Sequence, residues 1–289
     1  MNPLLDSPTL FVDTQALIYA FEKEEPAWVE LIESRLSSGY RLVLSEELLY
    51  EFAQSGTLKA ALELTRRVVQ RTPLWIRSFA DLEADEVCRF ARKVATGGPV
   101  RPVSVFVESF PEVSQLGEKH KFNPEEFVQF AFDPRARDVL SALAKRHAQV
   151  LNELSRAVDS GQFTKEVNDK AIHTGLQAWL SRGSYLTAPL VGGELEAAVK
   201  LCFKHHKWLM RECPAYATEY HLVDYRTASP KRLARPSDSK DLMLATAAFP
   251  YVSTFITNDG YLHGALCYVK KRRPDNRTVL VRGPVHNAV

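Results

Sequence analysis

Thr9-Leu10-Phe11-Val12-Asp13-Thr14-Gln15-Ala16-Leu17 begins with a short apolar run of β-branched and aromatic character and turns on a carboxylate. It then continues in helix-compatible residues as far as Phe21. Such a run reads as a strand, and an acid at its carboxyl end stands where open parallel sheets place their sites. Immediately downstream, Pro26 to Ser37 fits an amphipathic helix, with Pro26 in its first turn and Trp28, Leu31, Ile32 and Leu36 on one face. Gly39 ends that helix, and Arg41 to Leu44 reads as a second strand. Ser45 is placed to cap a helix carrying Leu48, Leu49 and Phe52. Strand, helix, helix, strand, helix is the opening of an α/β fold with a parallel sheet.

The far end of the chain returns to the same pattern. Asp238 or Ser239 can cap a helix from Lys240 to Phe249, which Pro250 stops. Val252 to Thr257 reads as a strand, Asp259 to Cys267 as a short helix, and Thr278 to Val281 as a final strand. The middle differs. Pro134–Val158, Thr164–Leu180 and Glu194–Met210 each read as one helix, and Thr96 to Pro124 reads as a long Gly- and Pro-containing connection. The expected architecture is one discontinuous parallel-sheet α/β domain, residues 1–75 and 221–289, interrupted by a mainly helical insert, residues 76–220.

Composition narrows the function classes. Of the 289 residues, 45% are hydrophobic and 25% charged, which is ordinary for a globular chain. No apolar run is long enough for a spanning helix, so no membrane partner is expected. Met1 to Pro8 has neither a basic nor an apolar signal region, and Cys88, Cys202, Cys213 and Cys267 follow no disulfide spacing. Reduced thiols in a cytoplasmic protein are the expectation. The net charge of +2 neither demands nor forbids a nucleic-acid partner, but its distribution is uneven. Lys231, Arg232 and Arg235 form one group, Lys270, Lys271, Arg272 and Arg273 a second, and Arg66, Arg67 and Arg71 a third. Such runs are usually solvated faces; next to acidic motifs they also suit phosphate contacts.

The chemistry-bearing pattern is a set of carboxylates at equivalent places. Asp13 ends the first strand, and Glu51 lies in the helix after the second. Asp238 and Asp241 open a helix, and Asp259 follows the strand at 254–257. In an open parallel sheet Asp13 and Asp259 would point into one cleft, with Glu51 and Asp241 facing it. Clustered carboxylates repel one another, and a divalent cation relieves that repulsion; hard oxygen donors select Mg²⁺ or Mn²⁺. Two such ions can activate water and stabilise a leaving oxygen in phosphodiester hydrolysis.

On four segments the chain resembles the PIN-domain family of nucleases: Phe-Val-Asp-Thr-Gln-Ala-Leu at 11–17, Leu-Ser-Glu-Glu-Leu-Leu-Tyr-Glu-Phe-Ala at 44–53, Asp-Leu-Met-Leu-Ala-Thr-Ala-Ala at 241–248 and Phe-Ile-Thr-Asn-Asp at 255–259. The resemblance implies Asp13, Glu51, Asp241 and Asp259 as catalytic acids. The metal ligands would be the same four with Asp238, and Thr14, Ser45 and Thr257 would support them. It further implies an Mg²⁺- or Mn²⁺-dependent endoribonuclease acting on RNA, of the kind found among toxins and RNA-processing factors, with an antitoxin or another protein regulator as a partner. The basic residues 231, 232, 235 and 270–273 would then contact RNA on the cleft rim. The family's compact form lacks the large insert, and Gln15 stands where it often has a small polar residue.

Two other readings stay open. Asp13 to Leu17 faintly resembles the nucleophile loop of haloacid-dehalogenase-type phosphatases, with Asp238 and Asp241 as a metal pair, although Gln15 replaces that loop's second acid. The chain could also be a catalytically degenerate scaffold that binds RNA or protein. Cys202, His205, His206 and Cys213 match no zinc-site spacing and read as residues of a packed helix.

Overall fold

The computed structural model describes residues 7–97, 103–114, 119–184, 186–228 and 232–284. The N-terminal third builds β1 (Thr9–Val12), α1 (Thr14–Leu17), α2 (Pro26–Ser37), β2 (Arg41–Leu44), α3 (Glu46–Gln54), α4 (Leu58–Val69) and β3 (Leu74–Ile76). A π-helical turn, Ile18–Glu22, extends α1. The middle adds α5 (Phe79–Thr96), β4 (Phe106–Val107), α6 (Pro124–Phe132), α7 (Pro134–Asp159), α8 (Lys165–Arg182), α9 (Gly192–Lys204) and α10 (His206–Glu212). The last part supplies α11 (Pro214–Thr227), α12 (Pro236–Ala248), β5 (Thr254–Thr257), α13 (Gly260–Arg272) and β6 (Val279–Arg282).

The expected α/β class is found: six strands form one sheet in the order β4-β3-β2-β1-β5-β6, parallel except for β4. Every residue of β1 and β5 is buried, as parallel strands covered on both faces must be. Chain order runs outward from β1 through β2 and β3 on one side and through β5 and β6 on the other. The switch point therefore lies between β1 and β5, which pair Leu10 with Thr254, Phe11 with Phe255 and Val12 with Ile256. Crevices at such points open beyond the carboxyl ends of the strands.

The boundary expected at residue 75 is not where the sheet ends. β4, from the middle of the chain, adds an antiparallel edge strand to β3, pairing Phe106 with Ile76 and Val107 with Trp75. Leu82, Phe110, Phe127, Val128 and Leu151 share one core with the sheet. Helices α8, α9 and α10, with Cys213 and Tyr216 at the start of α11, gather around a second core, which takes the other part of α5 through Val87, Cys88, Phe90 and Ala91. The excursion thus divides: its first half completes the sheet domain, and its second half leans on α5. The physical reason is α5, which buries residues on nearly every side and so needs cover all round.

The stretch expected as one helix from Glu194 to Met210 is two. His205 leaves helical geometry at φ −105° and ψ 25°, and the break lets α10 fold back so that Trp208 meets Phe90 edge-on at 5.2 Å. Helix α12 also begins a turn earlier than expected: Pro236 occupies its first position, Arg235 is the N-cap residue, and neither Asp238 nor Ser239 caps it as the start. Helix α13 runs on to Arg272 rather than ending near Cys267. Among the described residues no helix is long and apolar enough to cross a membrane.

Candidate active site

Asp13 is fixed by the sheet before it can do anything else. Its amide continues the β1–β5 ladder by donating to the Ile256 carbonyl at 3.0 Å. Its carboxylate then caps α1, with Oδ1 accepting from the Ala16 amide at 2.8 Å and Oδ2 from the Asn258 amide at 3.0 Å. Burial pushes its pKa up, against the pull of these bonds and of the Thr257 hydroxyl, while Asp259 adds repulsion. Asp259 is the N-cap of α13: Oδ1 accepts from the Leu262 amide at 2.6 Å, and its own amide donates to Thr257 Oγ1 at 3.0 Å. Thr257, fully buried, therefore ties the two strand-end acids together.

Glu51 arrives from α3. Ser45 caps that helix through a bond from the Leu48 amide at 3.2 Å, so it supports Glu51 by fixing the helix start and does not itself face the cleft. Thr14, at the start of α1, donates its hydroxyl to Glu51 Oε2. Burial raises Glu51 to about 7; the Thr14 bond and Lys240 oppose this, while Asp13 and Glu47 reinforce it. Asp241, on the second turn of α12, rises to about 8, first by burial and then by the charges of Glu51, Asp259, Asp13 and Asp238.

Asp13, Thr14, Glu51, Asp241 and Asp259 line one open cleft of about 670 Å³ at the switch point. Sequence reasoning missed the neighbours that complete its wall. Tyr19 enters from the π-helical turn, Gln54 from α3, and Lys240 from α12. Among the described residues Lys240 is the sole Lys or Arg in that lining. It donates to Gln54 Oε1, and burial pulls its pKa down against the opposing charges of Glu51 and Asp241. Its position beside Asp241, on the cleft-facing end of the same helix, was the available signal.

Asp238, expected as a fifth metal ligand, does not line the cleft. Its Oδ1 accepts from Arg232 at 2.9 Å, its Oδ2 accepts from the Arg235 amide at 3.0 Å, and the buried Arg226 lies 4.0 Å away. Both oxygens are thereby committed to cations and to the start of α12, which corrects the metal assignment for this residue. Arg232, also stacked 3.8 Å over Tyr261, belongs to that ion group rather than to a free rim. Arg235 is exposed at the α12 N-cap, next to the cleft residue Ser237. Lys231 lies outside the described residues.

The second basic group is at the wrong end of its helix. Lys270, Lys271 and Arg272 occupy the last turn of α13, whereas Asp259 caps its first. At 1.5 Å per residue that is roughly 17 Å away. Lys270 donates to the Thr278 carbonyl at 2.6 Å and Arg272 to the Tyr268 hydroxyl at 2.8 Å. Arg273, buried, donates to the Pro214 carbonyl and pairs with Asp275. The expected rim role for residues 270–273 does not fit this placement. Arg66, Arg67 and Arg71 are likewise taken up in ion pairs with Glu125, Glu24 and Glu33.

The cleft's donors are hard carboxylate oxygens, the class that Mg²⁺ and Mn²⁺ select. Among the described residues no group of three or more His, Cys, Asp or Glu side chains is arranged to hold a single ion. Mg²⁺ is commonly held by one or two carboxylates with water completing its shell, and pairs drawn from Asp13, Glu51, Asp241 and Asp259 fit that mode. No protein-family model, curated protein or solved structure matches the chain.

Proposed function

We propose that this protein is a divalent-metal-dependent nuclease of PIN-like character that hydrolyses phosphodiester bonds in RNA. The observation that carries the reading is the meeting of Asp13, Glu51, Asp241 and Asp259 in one cleft at the β1–β5 switch point. Four acids from four separate elements, three of them pushed above their ordinary pKa by burial and like charge, make a site that gains from a cation.

Mg²⁺ or Mn²⁺, when bound there, supplies a nucleophilic water at neutral pH and charge for the leaving oxygen. The chain's own residues then have separable tasks. A pair of carboxylates drawn from Asp13, at the end of β1, Asp241, on the second turn of α12, and Asp259, at the start of α13, would present the oxygens to an ion. Thr14 orients Glu51 through its hydroxyl, and Glu51, lining the cleft, would take a ligand or a water proton. Lys240 offers a cation to a phosphate that the acids would otherwise repel. Gln15, where the phosphatase loop needs its second acid, sets the nuclease ahead of the phosphatase reading.

The test is incubation with structured RNA, unstructured RNA and single-stranded DNA in Mn²⁺, Mg²⁺ or EDTA. Internal cleavage of RNA in Mn²⁺, lost in EDTA and in Asp13→Asn, is expected. Cleavage of none of them by the wild type refutes the enzyme reading and leaves a binding scaffold.

A further inference from the structure

A second concavity, about 1010 Å³, adjoins the acidic cleft and is of opposite character. Its walls are apolar: Tyr50 from α3, Phe79 from α5, Phe130 from α6, Val139 and Leu143 from α7, and Met243 from α12. Phe130, Val139 and Leu143 are 39%, 60% and 54% exposed, an unusual display of large apolar side chains along one groove. Val139, Leu143 and Val150 follow helical spacing along α7, so the groove has one continuous apolar wall.

The two concavities share their partition. Helix α3 carries Glu47 into the groove and Glu51 into the cleft, and side chains four apart on a helix are neighbours at about 5–6 Å. Helix α12 carries Lys240, which lines both, and it stands 5.4 Å over the Tyr50 ring. Arg135 and Arg146 add cations along the groove, while Arg182 is paired with Asp81 at 3.9 Å and Asp133 also lines it. Its acceptors are at the start of α3, where Glu46 and Glu47 stand side by side. Oε1 of Glu47 accepts from the Phe79 amide at 3.1 Å, and its Oε2, beneath the groove wall, has no hydrogen-bond partner.

We propose that this groove is a nucleobase subsite: it takes an unpaired base next to the scissile phosphate, and it favours bases that bear an exocyclic amino group. The inference rests on the nuclease reading of the cleft. Continuity through Lys240 lets one strand lie across both concavities, with its phosphate at the acids and a neighbouring base in the groove. Apolar and aromatic walls suit the flat face of a base, which a duplex keeps inside its stack and a single strand offers. Cations along the groove meet the phosphates on either side. Carboxylates accept but do not donate when ionised; burial raises Glu46 to about 7, so above that pH it matches the amino groups of cytosine and adenine rather than the carbonyl of uracil.

The experiment is equilibrium binding, in EDTA at pH 8.5 where Glu46 is ionised, of labelled twelve-nucleotide strands of A, C or U, an abasic strand of the same length, and a duplex. The proteins are the wild type, Val139→Ser/Leu143→Ser, which adds no charge and alters exposed positions, and Glu46→Gln. Cleavage of the same strands by the wild type in Mn²⁺ is scored alongside. The serine pair is expected to weaken base-bearing strands about tenfold while leaving the abasic strand unchanged. Glu46→Gln is expected to narrow the preference for A and C over U. If base-bearing and abasic strands bind alike, or the serine pair changes nothing while the wild type cleaves, the groove proposal falls and the nuclease stands. Base-dependent binding lost in the serine pair, without cleavage in any metal, keeps the subsite and removes the nuclease. No binding of any strand overturns the proposal.

Discussion

Asp241→Asn removes a charge that the folded protein holds at a cost, so its effect can be worked out before measurement. Burial and the charges of Glu51, Asp259, Asp13 and Asp238 raise the Asp241 carboxyl from 3.8 to about 8. Between those two values the folded state keeps a proton that the unfolded chain has released, so stability falls as pH rises through that window. Each pH unit in it is worth about 1.4 kcal/mol. The part of Asp241 that faces the cleft's water screens the sum, which leaves a cost of about 2–3 kcal/mol above pH 8. Asn does not ionise, so without metal the variant is expected to match the wild type near pH 4 and to melt about 5 °C higher at pH 8.5. Mn²⁺ reverses the comparison. At one hundred times its dissociation constant a bound ion stabilises the wild type by about 2.7 kcal/mol, and the variant should lose most of that gain together with cleavage. Thermal melts in EDTA and in Mn²⁺ across pH decide it. A variant that melts below the wild type at pH 8.5 in EDTA, or that gains as much from Mn²⁺, refutes the reasoning.

Asp238→Ala should behave differently, because it strands the fully buried Arg226 without its partner. A loss of about 3–5 kcal/mol in denaturant unfolding is expected, with the Mn²⁺-induced stabilisation retained. Lys271→Glu with Arg272→Glu, far from the cleft on α13, should leave RNA affinity and its salt dependence unchanged across a salt series. Lys240→Ala, by contrast, should lower the salt slope by about one. Gly283→Ala would set a methyl carbon 1.8 Å from the buried Trp28 ring. The resulting overpacking is expected to cost about 1–3 kcal/mol, read as a lower urea midpoint.

What could be read from the sequence alone was local. The strands at Thr9–Val12, Arg41–Leu44 and Thr254–Thr257 announce themselves through apolar β-branched runs. Ser45 and Asp259 announce the helices that they cap. The four cleft acids were legible because each stands within a few residues of such an element, and parallel pairing then carries them to one edge.

The rest was decided by partners distant in the chain. Helix α5 carries Asp81, Glu83, Asp85 and Glu86, whose charges favour water, yet all four are buried. Glu86 accepts from the amides of Ala215 and Tyr216 and from the Tyr251 hydroxyl, and Asp85 from the hydroxyls of Ser184 and Thr187. Asp238 looked like a metal ligand from its neighbours in sequence and became an ion-pair residue because α11 brings Arg226 against it. The basic run at 270–272 left the cleft because α13 continues five residues past its expected end at Cys267, to Arg272, and each added residue carries the chain another 1.5 Å away. A charge's role depends on the dielectric around it and on what stands opposite. Neither is a property of the residues beside it in the chain, so tertiary packing alone could settle which carboxylates would serve the cleft and which the frame.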